Sequence, residues 1–144
     1  MAAVVTVVKQ FSVTLDSGTE YALDASTTVT NVGEVINREI LVPTSEVTLI
    51  NIGAAVAAGT LTDIKFCVIK NFDDTNFIRV RLEDTGGHTA DLKLAPGDSI
   101  DIYNTKINVS ATGGAFASFS DIDTISAAAD SAACQVGIMA GEPC

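Results

Sequence analysis

One histidine, three cysteines and a scatter of carboxylates are all this 144-residue chain offers for chemistry. His88 follows Gly86-Gly87, which places it at a hairpin tip, where the expected state is solvated and idle. A Ser-His-Asp or Cys-His device would have to be built on that single tip residue. Cys67, Cys134 and Cys144 show no C-x-x-C spacing, so they lack the pattern of a zinc site. Cys67 and Cys134 fall in apolar runs and read as small buried thiols, with Cys144 free. A Cys67–Cys134 bridge is left open at this level.

Possible oxygen ligands cluster at two places: Asp73, Asp74 and Asn76 at one turn, and Asp121, Asp123 and Asp130 near another. Calcium takes six to eight oxygens from such loops, but no D-x-D-x-D-G pattern occurs here. Asp and Asn are also the ordinary residues of turns, where they bond their own backbone, and that reading is preferred. Paired acids for glycoside hydrolysis would be accompanied by aromatic platforms, and there are no Trp and two Tyr. Gly53 and Gly59 bracket no Lys or Ser/Thr of a phosphate loop. Asn108-Val109-Ser110 matches a glycosylation acceptor by chance. The expectation is a protein that is not an enzyme and carries no metal or cofactor.

The charges restrict partners. Eight Lys and Arg against 18 Asp and Glu give a net charge of −10, which repels phosphate backbones and anionic lipid alike. Direct nucleic-acid and membrane binding are therefore not expected. The opening residues lack the basic region of a secretory signal, and no apolar run approaches the roughly 20 residues of a membrane span. Synthesis in the cytoplasm follows as the expectation.

The elements that would position any site alternate with period two almost throughout. Val5, Val7, Phe11, Val13 and Leu15 share one face of a half-buried first strand, at about 4–15, which ends at Asp16-Ser17-Gly18. Tyr21 and Leu23 return from that turn. Segments 34–42 and 46–52 flank Pro43-Thr44-Ser45, and 53–59 is an Ala-rich loop. Ile64, Phe66 and Val68 form one face of 61–72, and Ile78, Val80 and Leu82 alternate with Arg79, Arg81 and Glu83. Ala95-Pro96-Gly97-Asp98 has the residues of a type II turn. Ala127-Ala128-Ala129 is read as a short helix or extended loop, before a closing strand of Cys134, Val136, Ile138 and Ala140. The fold class is all-β: one domain over 1–144, a single antiparallel β-sandwich, jelly-roll-like, of about eight to ten short strands.

Val68-Ile69-Lys70-Asn71-Phe72-Asp73, then Asn76-Phe77-Ile78-Arg79-Val80, then Leu92-Lys93-Leu94-Ala95-Pro96-Gly97-Asp98 make a strand, turn, strand and Pro-Gly corner. Over roughly residues 61–140 this order resembles the small β-sandwich virion proteins of tailed bacteriophages, which include capsid decoration (cement) proteins. The resemblance implies a structural role in the virion, assembly as a homo-oligomer (often a trimer), and the phage major capsid protein as partner. A tail, baseplate or fibre component is the alternative within that class, and a carbohydrate-binding host-attachment module the alternative outside it. The residues expected at an interface are Val5, Val7 and Phe11 on the first strand, and Phe77, Arg79 and Arg81 on a second face. The first strand is also expected to pair with a neighbour's sheet edge.

Overall fold

The computed structural model describes residues 3–14, 16–53, 60–103, 106–107 and 119–144. Every regular element among them is a strand. The first four are β1 (Ala3–Val7), β2 (Gln10–Thr14), β3 (Glu20–Asp24) and the 16-residue β4 (Thr27–Val42). Then come β5 (Val47–Ile52), β6 (Thr60–Leu61), β7 (Phe66–Asn71), β8 (Ile78–Asp84) and β9 (Thr89–Leu94). The chain ends with β10 (Ser99–Ile102), β11 (Lys106–Ile107), β12 (Ser120–Ala129) and β13 (Cys134–Pro143).

Eight of these form one long hairpin rolled on itself. β8 pairs with β9, β7 with β10, β5 with β12 and β4 with β13, all antiparallel. Rolling adds the pairs β13–β7 and β12–β8, so the sheets read β4-β13-β7-β10 and β5-β12-β8-β9. That is the strand order of a jelly roll. The all-β sandwich is thus present, with thirteen described strands rather than eight to ten, because short additions flank the eight-stranded roll.

The core lies between the two sheets. Val42, Cys67, Ile69, Val136 and Ile138 from one sheet meet Leu49, Ile50, Val80, Leu82 and Ile125 from the other in a single buried cluster. Each such aliphatic side chain contributes about 1.5–3 kcal/mol when fully buried. Arg38 on β4 donates from Nη2 to the Leu49 carbonyl on β5, tying the sheets together. Asn71 is fully buried at the end of β7. Its Nδ2 donates to the carbonyls of Asn76 (2.8 Å), Ala95 (3.3 Å) and Leu94 (3.4 Å), and its Oδ1 accepts from the Asp73 amide (3.1 Å). One side chain therefore fastens both turns beside it.

Three readings change. The half-buried first strand is two strands: β1 adds to the edge of β4, whereas β2, among the described residues, pairs only with β3 and is exposed throughout. The core face of β7 is Cys67, Ile69 and Asn71, not Phe66 and Val68; Phe66 is buried outside the main core. The Ala-rich 127–129 run is neither helix nor loop but the end of central strand β12. The Cys67–Cys134 bridge is absent: both thiols are free and buried. Along β13, Cys67 lies opposite Ala140, six residues from Cys134, or about 20 Å at strand rise. The 54–59 part of the Ala-rich loop, Leu15 and the Asn108 acceptor site lie outside the described residues.

Candidate interaction surface

The N-terminal arm is where the structure departs from a plain sandwich. Asn31 adopts a left-handed conformation (φ 57°), which an Asn side chain tolerates, and the strand register shifts beside it. Beyond that point β4 outruns β13 and pairs only with β1, through Val5–Val29 and Val7–Thr27. The arm is pinned to the body at the far end of the same sheet. Lys9 forms an ion pair with the almost fully buried carboxylate of Asp101 on β10, and its Nζ stands 5.9 Å from the centre of the Tyr103 ring. Lys65 Nζ donates to the Thr30 carbonyl (2.9 Å). Burial pushes the Tyr103 hydroxyl upward in pKa.

From this base the β2–β3 hairpin projects. Its turn uses Gly18 at φ 80°, a conformation that suits glycine, and its neck is closed by Ala25 N–H to Lys9 carbonyl (2.9 Å). Asp24 Oδ1 accepts from the Ser26 amide (2.9 Å) and hydroxyl (2.6 Å), and those bonds lower the pKa of its carboxyl. The register sets Phe11 opposite Leu23 and Val13 opposite Tyr21. Residues two apart and directly opposed share a face, so all four apolar side chains point one way. They remain 55%, 63%, 56% and 62% exposed, in the order named. The reverse face carries Gln10, Ser12, Thr14, Glu20, Ala22 and Asp24. A two-stranded hairpin in water is marginal unless an apolar face is covered, and nothing in the described chain covers this one.

Phe11 is the one expected interface residue on that face. Val5 and Val7 are half-buried against β4, while Val4 and Val8 are the exposed valines beside them. Val13 and Leu23 were missed as surface residues because their alternation reads equally well as a strand facing a core. Phe77, Arg79 and Arg81 gather on the outer side of the other sheet. Arg81 grips Asp91 with two bonds, Nε to Oδ1 (2.7 Å) and Nη2 to Oδ2 (2.8 Å), and reaches Glu46 with Nη1 (3.1 Å). Arg79 also pairs with Glu46. Lys93 Nζ sits 4.1 Å from the centre of the Phe77 ring. The bond to Arg81 holds the Asp91 carboxyl below the usual range, and the same pair raises the Arg81 guanidinium. Both guanidinium groups are thus already engaged by acids of their own chain.

The other sequence candidates serve the backbone. Asp73 Oδ1 accepts from the amides of Asn76 (2.6 Å) and Thr75 (2.9 Å), the turn chemistry expected of it, and these bonds lower its pKa. His88 is exposed but not idle. Its amide (2.8 Å) and that of Gly86 (2.8 Å) donate to Asp84 Oδ1, and its Nδ1 lies 3.1 Å from both carboxylate oxygens. Asp121 pairs with Lys106 (3.1 Å) and, with Asp63 and Asp123, lines an open cleft of about 470 Å³. Among the described residues no group of three His, Cys, Asp or Glu side chains is placed to hold a metal ion. No protein-family model, curated protein or solved structure matches this chain.

Proposed function

We propose that this chain is a structural subunit that works by docking on a larger assembly, with no catalytic role. The observation that carries this reading is the projecting hairpin with Phe11, Val13, Tyr21 and Leu23 exposed on one face. An apolar surface of this kind on a chain of charge −10 marks a contact site. Within that class the proposal is a decoration protein on the head of a tailed phage, stabilising contacts between major capsid subunits. Its support is the resemblance of the Val68–Val80 and Leu92–Asp98 stretches, which form the β7–β8 and β9–β10 corners joined by Asn71. A protein that binds only the assembled lattice favours that lattice by mass action.

The test is binding of the purified chain to expanded phage heads, tails and a panel of host glycans. Saturable binding to heads that is lost in Phe11→Ser/Tyr21→Ser supports decoration. Binding to tails alone moves the protein to the tail reading. The presence of Phe11 and Tyr21 on one exposed face, in diagonal positions, favours a carbohydrate platform as second reading, and glycan binding without head binding would establish it.

A further inference from the structure

Sheets end in edges, and an edge with free backbone groups recruits another strand unless it is blunted. The two large sheets have four outer edges, and among the described residues three of these are blunted. β9 carries Asp91 and Lys93. β6 has two residues. β10 has four, with Asp101 held by Lys9. β1 differs from all of them. It is Ala-Val-Val-Thr-Val, with no charge, Pro or Gly, and it pairs with β4 on one side only.

We infer that β1 pairs edge to edge with β1 of a second copy, antiparallel about a two-fold axis through Val5, joining two five-stranded sheets into one of ten. A two-fold contact needs a surface complementary to itself, and β1 meets that demand. Centring on Val5 sets Val4 against Thr6 of the second copy, two side chains of nearly the same shape, and Ala3 against Val7. The half-buried Val5 and Val7 stay on the inner face and the exposed Val4 and Thr6 on the outer. Charge points to the same place: no acidic residue precedes Asp16, so mutual repulsion between two chains of charge −10 is weakest there. Five paired residues fall short of the roughly 800 Å² per partner of a stable complex, so the contact belongs to the weak, concentration-dependent class. The inference stands whether or not the assembly is a virion.

The experiment is light scattering on the purified full chain, at low and high salt, with charge variants at the two exposed β1 positions. Wild type is expected to be a dimer, tighter at high salt because the acidic bodies repel. Val4→Lys/Thr6→Lys places like charges in both crossed pairs and weakens association about tenfold. Val4→Lys/Thr6→Glu turns the same pairs into opposite charges and restores it. At concentrations low enough for every variant to be a monomer, all keep the wild-type melting temperature, since both side chains face solvent. A wild-type monomer, a Lys/Lys variant that associates normally, or a Lys/Glu variant that fails to recover would each overturn the inference. So would a monomer whose β1 amides become protected only on phage heads, which is strand addition to a different protein.

Discussion

Gly141 lies beneath the ring of Phe66: a Cβ at this position would stand 2.4 Å from Cε1 of Phe66 and 2.9 Å from Cγ1 of Val32. The two are cross-strand partners on β13 and β7, and Phe66 and Val32 are both buried. Four residues earlier, Gly137 stands in the same relation to Phe72, with the added Cβ 2.5 Å from its Cε2. Phe72, however, is half exposed and can swing into solvent. Gly141→Ala should therefore cost about 1–3 kcal/mol, the usual range for overpacking, and Gly137→Ala clearly less. Chemical denaturation of the two variants measures the contrast; equal costs would mean that Phe66 moves as freely as Phe72.

Asn71 is expected to be the costliest polar side chain to remove. Its amide serves three carbonyls and its oxygen one amide, with the bond to Leu94 buried and the other three partly so. Asn71→Leu leaves those groups unpaired, at about 1–3 kcal/mol for each group that water cannot reach. Both the β7–β8 and β9–β10 corners should loosen together. Amide exchange at Asn76 and Asp98 is the readout, and loosening at one corner alone would refute the shared anchor.

How much of this was legible depended on what covered each strand. β8 could be read because Ile78, Val80 and Leu82 face the core while Arg79, Arg81 and Glu83 do not. β12 could not, because Ser126 and Ala128 lie opposite Arg81 and Arg79, whose longer side chains cover them. Burial on both faces erases the alternation that marks a strand. In the arm the odd-numbered phase from Val5 to Val13 runs unbroken through Lys9, so it conceals the change of partner from β4 to β3. Phe66 was placed on the wrong face because it packs with Val32 and Gly141, outside the main core. Of the interaction surface, Phe11 was legible, while Tyr21 and Leu23 needed the register.

Acid should loosen the β8–β9 tip. The His88 amide, above all, together with its ring and the Gly86 amide, holds the Asp84 carboxyl below the ordinary carboxylate range. A depressed folded-state pKa means that the stabilisation is complete above the unfolded value of about 3.9 and fades as pH falls through the lower folded value. The melting temperature of wild type should hold near neutrality and fall in that acid window. Asp84→Asn should melt lower at neutral pH, with the gap closing in acid. A gap that persists unchanged to low pH would show that the charge of Asp84 contributes nothing.

Thiol labelling should separate the three cysteines. Cys144 is exposed, while burial pushes the Cys67 thiol up to about 12 and, chiefly, also raises that of Cys134. Thiolate is the reactive form, so a disulfide reagent should label one thiol per folded chain quickly and all three after denaturation. Rapid labelling at Cys134 would mean that the β12–β13 turn opens in the native state.

The last expectation concerns the hairpin itself. Among the described residues β2 and β3 hydrogen-bond only to each other and bury no apolar face, whereas β12 and β13 are central strands on both sides of the core. Local stability follows burial, so amides of residues 10–24 should exchange much faster than those of β12 and β13. Phe11→Ser/Tyr21→Ser should leave the unfolding free energy of the isolated chain within about 0.5 kcal/mol of wild type, as for other exposed substitutions. On the assembled particle the same amides should become slow in wild type and stay fast in the variant. If they are already slow in the dilute chain, the apolar face is covered from within and its role as a docking surface falls.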